Sequence, residues 1–201
     1  NADEILFLNI AGSISPEVVG EVSRVCSIPL TVGGGVICAA DAKELLRAGA
    51  DRVVVNSVVY SDPGAVRAIA KRFGSQAIVA SIDVRFDGEY RLFSSRGQVF
   101  QNINLKDHVH RCIDAGVGEI MIQSIDRDGT MAGFDIELTN MVKELSSVPV
   151  IAAGGSGNYE HLRAVFETGV AAVACGSLFN FSDSSPIRAK SYLSNHGLTF
   201  R

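Results

Sequence analysis

Short apolar segments rich in valine and isoleucine recur along the chain, and an amphipathic segment follows most of them. The apolar segments are continuous rather than alternating, which is typical of strands covered on both faces. The predicted strands are residues 5–10, 30–32, 52–56, 77–84, 119–125, 148–153 and 171–175, and the predicted helices are residues 16–26, 39–48, 63–73, 105–115, 136–145 and 159–168. This alternation predicts an α/β protein with a parallel sheet and right-handed crossovers. Residues 85–95 differ, because an Asp-Gly pair between strand residues predicts a hairpin within one loop.

One segment of the chain occurs twice. Residues 28–60 and 148–180 align without a gap at a separation of 120 residues. The matched pairs include Pro29 with Pro149, Gly34 with Gly154, Gly35 with Gly155, Gly49 with Gly169, and Ser57 with Ser177. Each copy has the pattern of a βαβ unit with glycines where its first strand ends. The duplication predicts a barrel with two matching anion pockets, and hence a substrate with two phosphates.

The predicted strands number one fewer than the eight of a (β/α)8 barrel. Matching Glu4 to Glu119 gives a separation of 115 residues, so the counterpart of Asp83 is expected about 32 residues upstream of residue 1. We therefore expect residues 1–201 to form a single barrel domain that holds strands two to eight and lacks the first βα unit.

Composition narrows the class of protein. A chain of 201 residues that is 47% hydrophobic can bury a sizeable core, and its apolar runs are far shorter than the roughly 20 residues of a membrane span. From the opening residues we expect no secretory leader, and the net charge of −4 with scattered lysines and arginines does not favour nucleic acid. Four widely spaced cysteines are expected to be reduced thiols of a cytoplasmic protein. No metal or cofactor site is predicted.

Two glycine clusters, Gly33–Gly35 and Gly154–Gly157, each follow a strand and precede a helix. Such a turn exposes backbone N–H groups that bind phosphate beside a helix N-terminus. A single cluster is explained by steric needs alone, but two at equivalent barrel positions favour phosphate binding. The strand after each cluster ends in a small polar pair. The predicted phosphate-binding residues are therefore Gly34, Gly35, Asn56, Ser57, Gly154, Gly155, Gly176 and Ser177.

Carboxylates end two of the buried strands. Asp83 closes the segment AIVASID, where it is either a general acid or base or a helix cap or loop ion pair. Asp126 and Asp128, in the segment IDRDGT, are candidates for a second carboxylate, or else form a salt-bridged turn with Arg127. We retain Asp83 and Asp128 as the predicted catalytic residues.

Three charged residues, Glu4, Arg52 and Glu119, stand at strand starts, on the face opposite the phosphate pockets. They are either separate surface charges or a ring around the lower opening of the barrel. The sequence leaves both interpretations open.

The segments TVGGGV, GADRVVVNS, FGSQAIVASIDV, GEIMIQSIDRDGT and PVIAAGGSG, in this order, resemble the cyclase subunit of imidazole glycerol phosphate synthase, an enzyme of histidine biosynthesis. The resemblance covers essentially the whole chain. It implies a (β/α)8 barrel that receives ammonia from a partner glutaminase through its far face. It also implies conversion of a bisphosphorylated ribulosyl-formimino carboxamide ribonucleotide into imidazole glycerol phosphate and aminoimidazole carboxamide ribotide.

The resemblance also implies roles for single residues. Asp83 matches one of two catalytic aspartates; the other lies on the first strand, so the chain as given is expected to be inactive. Glu4, Arg52 and Glu119 match three of four ammonia-gate residues, with Arg52 in place of a lysine, and Asp51 matches a residue facing the glutaminase. The residues matching the phosphate sites are Gly35, Asn56 and Ser57 on one side, and Asp128, Gly129, Thr130, Ala153, Gly154, Gly155, Gly176 and Ser177 on the other.

Several positions depart from that family pattern. Asn9 stands where an aspartate is usual, Gln123 where threonine or asparagine is common, and Met131 where a basic residue is usual. These changes resemble paralogous subunits of bacterial surface-polysaccharide clusters, which use glutaminase-derived ammonia to amidate a sugar. A catalytically inactive scaffold that binds a glutaminase is a third alternative. A related isomerase of the same pathway fits less well, because IDRDGT and the gate charges favour the cyclase.

Overall fold

A parallel β-sheet, nearly closed into a barrel and surrounded by helices, is the core of the computed structural model, which describes residues 2–94 and 98–200. The strands are β1 Ile5–Leu8, β2 Leu30–Gly33, β3 Arg52–Val55, β4 Ile78–Phe86, β5 Tyr90–Ser94, β6 Val99–Phe100, β7 Glu119–Ser124, β8 Val150–Ala153 and β9 Ala172–Ala174. The barrel sheet has the order β1-β2-β3-β4-β7-β8-β9, and all of these neighbours are parallel. The α/β barrel predicted from the sequence is confirmed.

Helices cover the outside of this sheet. They are α1 Pro16–Val25, α2 Ala39–Arg47, α3 Ser57–Ser61, α4 Pro63–Phe73, α5 Leu105–Asp114, α6 Ile136–Leu145, α7 Tyr159–Phe166, α8 Ser177–Asn180 and α9 Pro186–Ser194, with a 3-10 turn at Ser75–Ala77. Several begin at a side chain that accepts a backbone N–H bond, as Asp62 does from Ala65 and Asp135 from Leu138. Within the described ranges, no helix combines the length and apolar character needed to cross a bilayer.

The side chains of the barrel strands divide between two faces. Val54, Val79, Met121 and Ala153 form a small apolar cluster, whereas the large core packs the strands against the helices. Because successive residues of a strand point to opposite faces, residues two or four positions from the small cluster share its face. That face is the interior of the barrel.

The repeat found in the sequence is confirmed in the hydrogen bonds of the backbone. Three backbone hydrogen bonds of the first half each have a counterpart in the second half. The bond from Ile5 N–H to Pro29 O (2.9 Å) corresponds to that from Ile120 N–H to Pro149 O (3.0 Å), and the bond from Asp51 N–H to Leu30 O (2.8 Å) corresponds to that from Ala171 N–H to Val150 O (2.9 Å). The bond from Val59 N–H to Asn56 O corresponds to that from Phe179 N–H to Gly176 O, and both are 3.1 Å long. The two halves therefore place their glycine clusters and their polar strand ends in equivalent positions.

The hairpin predicted for residues 85–95 is confirmed over its described part. β4 runs past the barrel to Phe86 and pairs antiparallel with β5, and β5 pairs with β6. Ser95 lies outside the described residues. Four predicted strands were too long at their carboxyl ends. These strands end at Leu8, Val55, Ser124 and Ala174, where the chain turns into the loops of the upper mouth.

Candidate active site

Asp83 lies on the inner face of β4, at the carboxyl end of the barrel part of the strand. It shares this face with Val79 and Ser81, and it is 8% exposed. The Ser81 hydroxyl donates a long hydrogen bond of 3.4 Å to its Oδ1 atom. The register pairs Asp83 with Gln123 of β7, so the glutamine amide stands beside the carboxylate on the same face. A buried carboxylate with polar neighbours at a barrel mouth is suited to proton transfer.

The two aspartates after β7 have different surroundings. Asp126 accepts a 2.7 Å hydrogen bond from Phe86 N–H and forms a 3.2 Å ion pair with Arg85. It therefore fastens the β4–β5 hairpin to the loop after β7. Its ion-pair partner is Arg85, rather than the Arg127 considered from the sequence. Asp128 is exposed and lines a pocket at the second glycine cluster.

The second glycine cluster forms the floor of that pocket. Gly154, Gly155, Ser156, Gly176 and Ser177 line it, together with Asp128 and Ala174. Gly154 and Gly155 have φ angles of 88° and 102°, in the region that favours glycine. A Cβ on Gly154 would lie 2.6 Å from Ser124 O, so the loop after β7 packs directly on this cluster. Gly129 and Thr130 lie exposed in that same loop, with the Thr130 hydroxyl bonded to Arg127 O at 2.7 Å.

The first glycine cluster is packed in the corresponding way. A Cβ on Gly34 would lie 2.7 Å from Asn9 O, and one on Gly35 would overlap Ser13. The loop after β1 thus covers the first cluster as the loop after β7 covers the second. Asn9 organises this loop, because its Nδ2 donates to Ser13 O at 2.9 Å and its Oδ1 accepts from Ala11 N–H at 3.1 Å.

The neighbouring strand end completes the first cluster. Asn56 and Ser57 follow β3, and Ser57 is exposed at the first position of α3. The corresponding residues of the second half, Gly176 and Ser177, begin α8 in the same way. All the residues predicted to bind phosphate therefore lie at one mouth of the barrel, in two groups related by the repeat.

Glu4, Arg52 and Glu119 meet at the opposite mouth. Arg52 Nη1 lies 3.0 Å from Glu4 Oε2 and 3.2 Å from Glu119 Oε2, and the three side chains are 23–31% exposed. Partial burial raises the pKa of Glu119, an effect that Arg52 opposes and Glu4 reinforces. The charges form a connected cluster rather than separate surface groups. The sequence analysis missed Thr31, whose hydroxyl donates to Glu4 Oε1.

Asp51 lies next to this charge cluster on the outer surface. It is exposed, and its Oδ2 accepts a 2.8 Å hydrogen bond from Leu30 N–H at the start of β2. The residue therefore has a structural contact within the chain in addition to the partner-facing position predicted for it.

A buried polar cluster lies outside these sites and was missed in the sequence. Tyr60 stacks on His108, and His108 Nε2 lies 3.7 Å from Cys112 Sγ. Burial lowers the pKa of His108 to about 4 and raises that of Cys112 to about 12, so both are neutral at ordinary pH. Burial, and then the charge of Asp83, raise the pKa of the Tyr60 hydroxyl.

The sequence of this chain is similar to those of known proteins. Residues 1–185 match the family described as "Histidine biosynthesis protein". The chain is 40% identical over 205 residues to "Imidazole glycerol phosphate synthase subunit HisF" of Thermotoga sp. (strain RQ2), covering 99% of this chain and 81% of that protein. This chain belongs to the HisF family. That family is one of lyase and cyclase enzymes, so the resemblance drawn from the sequence motifs is confirmed.

The three residues that the sequence analysis set apart from the family pattern, Asn9, Gln123 and Met131, lie at the upper mouth. Asn9 makes two hydrogen bonds within its loop, Gln123 stands beside Asp83, and Met131 adopts a φ of 57° next to Gly157. All three departures therefore lie in or beside the loops that surround the glycine clusters.

Proposed function

We propose that this chain is the ammonia-dependent cyclase subunit of an imidazole glycerol phosphate synthase. It would cleave and cyclise the bisphosphorylated ribulosyl-formimino carboxamide ribonucleotide to imidazole glycerol phosphate and aminoimidazole carboxamide ribotide. The observation that carries this proposal is the arrangement of the upper mouth. Two glycine clusters related by the repeat flank one buried carboxylate, Asp83, on the inner face.

The two glycine clusters support binding of a substrate with a phosphate at each end. Backbone N–H groups in glycine turns bind anions without any positively charged side chain. A substrate held at both ends would span the mouth, and its central part would lie over the inner face. Asp83 stands on that face, beside Gln123. Holding both ends therefore orients the reacting centre toward the carboxylate.

Asp83 is the proposed general acid or base. The new ring forms when ammonia attacks and protons are transferred between nitrogen and oxygen atoms, and a carboxylate within hydrogen-bond reach can carry those protons. Asp128 is the second proposed carboxylate. Its exposed position beside the second glycine cluster suits a role near the phosphate end of the substrate rather than on the inner face.

The lower mouth supports delivery of ammonia from a glutaminase subunit. Glu4, Arg52 and Glu119 close that mouth, and the apolar cluster containing Val54 and Met121 lies between them and Asp83. An apolar passage admits neutral ammonia more readily than charged ammonium, because burying an unpaired charge is costly. The proposed partner would dock on this face, where Asp51 is exposed.

Turnover of the ribonucleotide with an ammonium salt, followed by its absorbance change, tests the proposed reaction. We expect turnover at an enzymatic rate by the full protein, and strong loss in Asp83→Asn. A folded protein that binds inorganic phosphate but leaves the ribonucleotide unchanged would contradict the reaction while leaving the phosphate sites intact.

The amidation of a sugar with glutaminase-derived ammonia is the second candidate. It is motivated by Asn9, which stands where the family usually has aspartate and whose Nδ2 group donates a hydrogen bond to Ser13 O that an aspartate could not donate. The loop over the first glycine cluster is thus built around an amide. If the wild-type protein converts the ribonucleotide at an ordinary enzymatic rate, amidation of a sugar is excluded as its main activity.

A further inference from the structure

Ser156 is a buried residue of the second glycine cluster whose hydroxyl has no partner. The residue is 5% exposed, and its Oγ atom is fully buried without a hydrogen bond. The thiol of Cys175 lies beside this hydroxyl, but the two do not have hydrogen-bond geometry, and a thiol is a weak partner. A buried hydroxyl left unpaired destabilises a folded protein. Such a group calls for a specific explanation.

Ser156 belongs to the lining of a small pocket. Ser156 lines it with the backbone of Gly154, Gly155 and Gly176, and the pocket volume is about 20 Å³. That volume is enough for about one water-sized group, such as a single phosphate oxygen. An oxygen placed there would lie next to the glycine turn and next to Ser156, whose hydroxyl is buried behind the pocket surface.

The internal repeat provides a comparison within the same chain. The alignment that matches Gly35 with Gly155 matches Val36 with Ser156. Val36 is 5% exposed, so the two positions are buried to the same degree. The first cluster therefore has an apolar isopropyl group where the second has a hydroxyl. Valine fills this buried position in the first half, so the fold of the glycine turn does not itself require a hydroxyl there.

The charge at the second cluster makes an added donor useful there. Asp128 lines the pocket, and its carboxylate repels an anion. A hydroxyl that donates to the anion offsets part of this repulsion, since hydrogen bonds to charged groups are stronger than those between neutral groups.

We infer that the Ser156 hydroxyl is a phosphate ligand of the second pocket, and that it makes the two phosphate sites of the barrel unequal. The inference rests on the proposed phosphate binding at both glycine clusters. In the free protein the Ser156 hydroxyl has no hydrogen-bond partner. When phosphate binds, one of its oxygens accepts a hydrogen bond from this hydroxyl. The substrate is thereby held more firmly at the end that enters the second half of the barrel.

Titration of the full chain with inorganic phosphate, followed by amide NMR, tests this inference. Gly155 and Gly176 report on the second pocket, and Gly35 and Ser57 on the first. We expect Ser156→Ala to weaken binding at the second pocket about tenfold, as the loss of one hydrogen bond to a charged group implies, and to leave the first unchanged. Ser191→Ala, an exposed serine of α9, is the matched control and is expected to change neither.

Thermal unfolding without phosphate is a second readout, because removing a hydroxyl with a structural role would lower the stability of the protein. We expect Ser156→Ala to be as stable as the wild type or more so, because the substitution removes an unpaired polar group. Unchanged binding at the second pocket, equal weakening at both pockets, or clear destabilisation of the phosphate-free variant would overturn the role of Ser156. Absence of phosphate binding at both pockets of the wild type would overturn the proposed phosphate sites themselves.

Discussion

The rings of Tyr60 and His108 are stacked in the interior, with centroids 4.0 Å apart and planes 2° apart. The stack joins α3, which begins at Ser57, to α5. His108 is fully buried, and burial, reinforced by the charge of Arg111, lowers its pKa from 6.5 to about 4. The contact therefore depends on an imidazole that remains neutral in the folded protein.

Acid should destabilise the fold through His108. The unfolded chain takes up a proton at this residue as the pH falls below 6.5, whereas the folded protein does so only near pH 4. The free energy of unfolding therefore falls across this window, by about 3 kcal/mol when the shift is converted at 1.36 kcal/mol per unit. Urea unfolding between pH 7 and pH 4 measures the loss. His108→Phe keeps a ring against Tyr60 and should remove this part of the slope.

The exposed His110 of the same helix gives the control for this measurement. His110→Gln should unfold with the same pH dependence as the wild type, since its side chain is exposed. An unaltered slope in His108→Phe would mean that the acid sensitivity arises elsewhere.

The neighbouring Asp126 and Asp128 should give different effects when each is changed to asparagine. Asp126→Asn weakens the contacts to Arg85 and to Phe86 N–H, so we expect faster proteolysis and amide exchange in the β4–β5 hairpin. Asp128→Asn leaves those contacts in place, and we expect lower turnover with an unchanged hairpin. The same exchange pattern in both variants would contradict the separate roles.

Arg52 should matter for transfer of ammonia and little for stability. Arg52→Met leaves Glu4 and Glu119 without their shared cation, yet partly exposed ion pairs contribute only about 0–1 kcal/mol each. In the complex with the glutaminase we expect glutamine-driven turnover to fall several-fold, and turnover driven by added ammonium to stay within about twofold. Arg52→Lys should retain most of the coupling, and Arg47→Met, in the last turn of α2, should resemble the wild type.

A parallel fall in glutamine-driven and ammonium-driven turnover would contradict the proposed gate. Such a result would indicate that Arg52 supports the barrel as a whole rather than the passage at its lower mouth.

The features that could be predicted from the sequence are those with a local signal. The separation of 120 residues between Gly34 and Gly154 located both glycine clusters, and the Asp87-Gly88 pair located the hairpin. The strand and helix order followed from apolar periodicity. The hydrogen bonds of the backbone then repeat in the two halves, as the duplication requires.

The features that were missed depend on contacts between distant parts of the chain. Asp126 and Arg85 are separated by 41 positions, and no pattern near either residue indicates their ion pair. The Tyr60–His108 stack likewise needs α3 and α5 to be packed side by side. For the same reason the sequence did not decide whether Glu4, Arg52 and Glu119 form a cluster or separate surface charges. Only the barrel register brings the three strand starts together.

Asp83→Asn should strongly reduce catalysis without unfolding the barrel. Asparagine has nearly the same shape and can still accept the Ser81 hydroxyl bond, but it cannot exchange a proton with a substrate. Loss of a general acid or base lowers turnover by roughly 100- to 10,000-fold, so we expect a fall of this size in kcat with ammonium salt, and a KM within a few-fold of the wild type because the glycine clusters are unchanged. Asp87→Asn, an exposed change in the hairpin, is the matched control. A kcat of Asp83→Asn near that of the wild type would remove Asp83 from the proposed mechanism, whereas a raised KM with normal kcat would make it a binding residue.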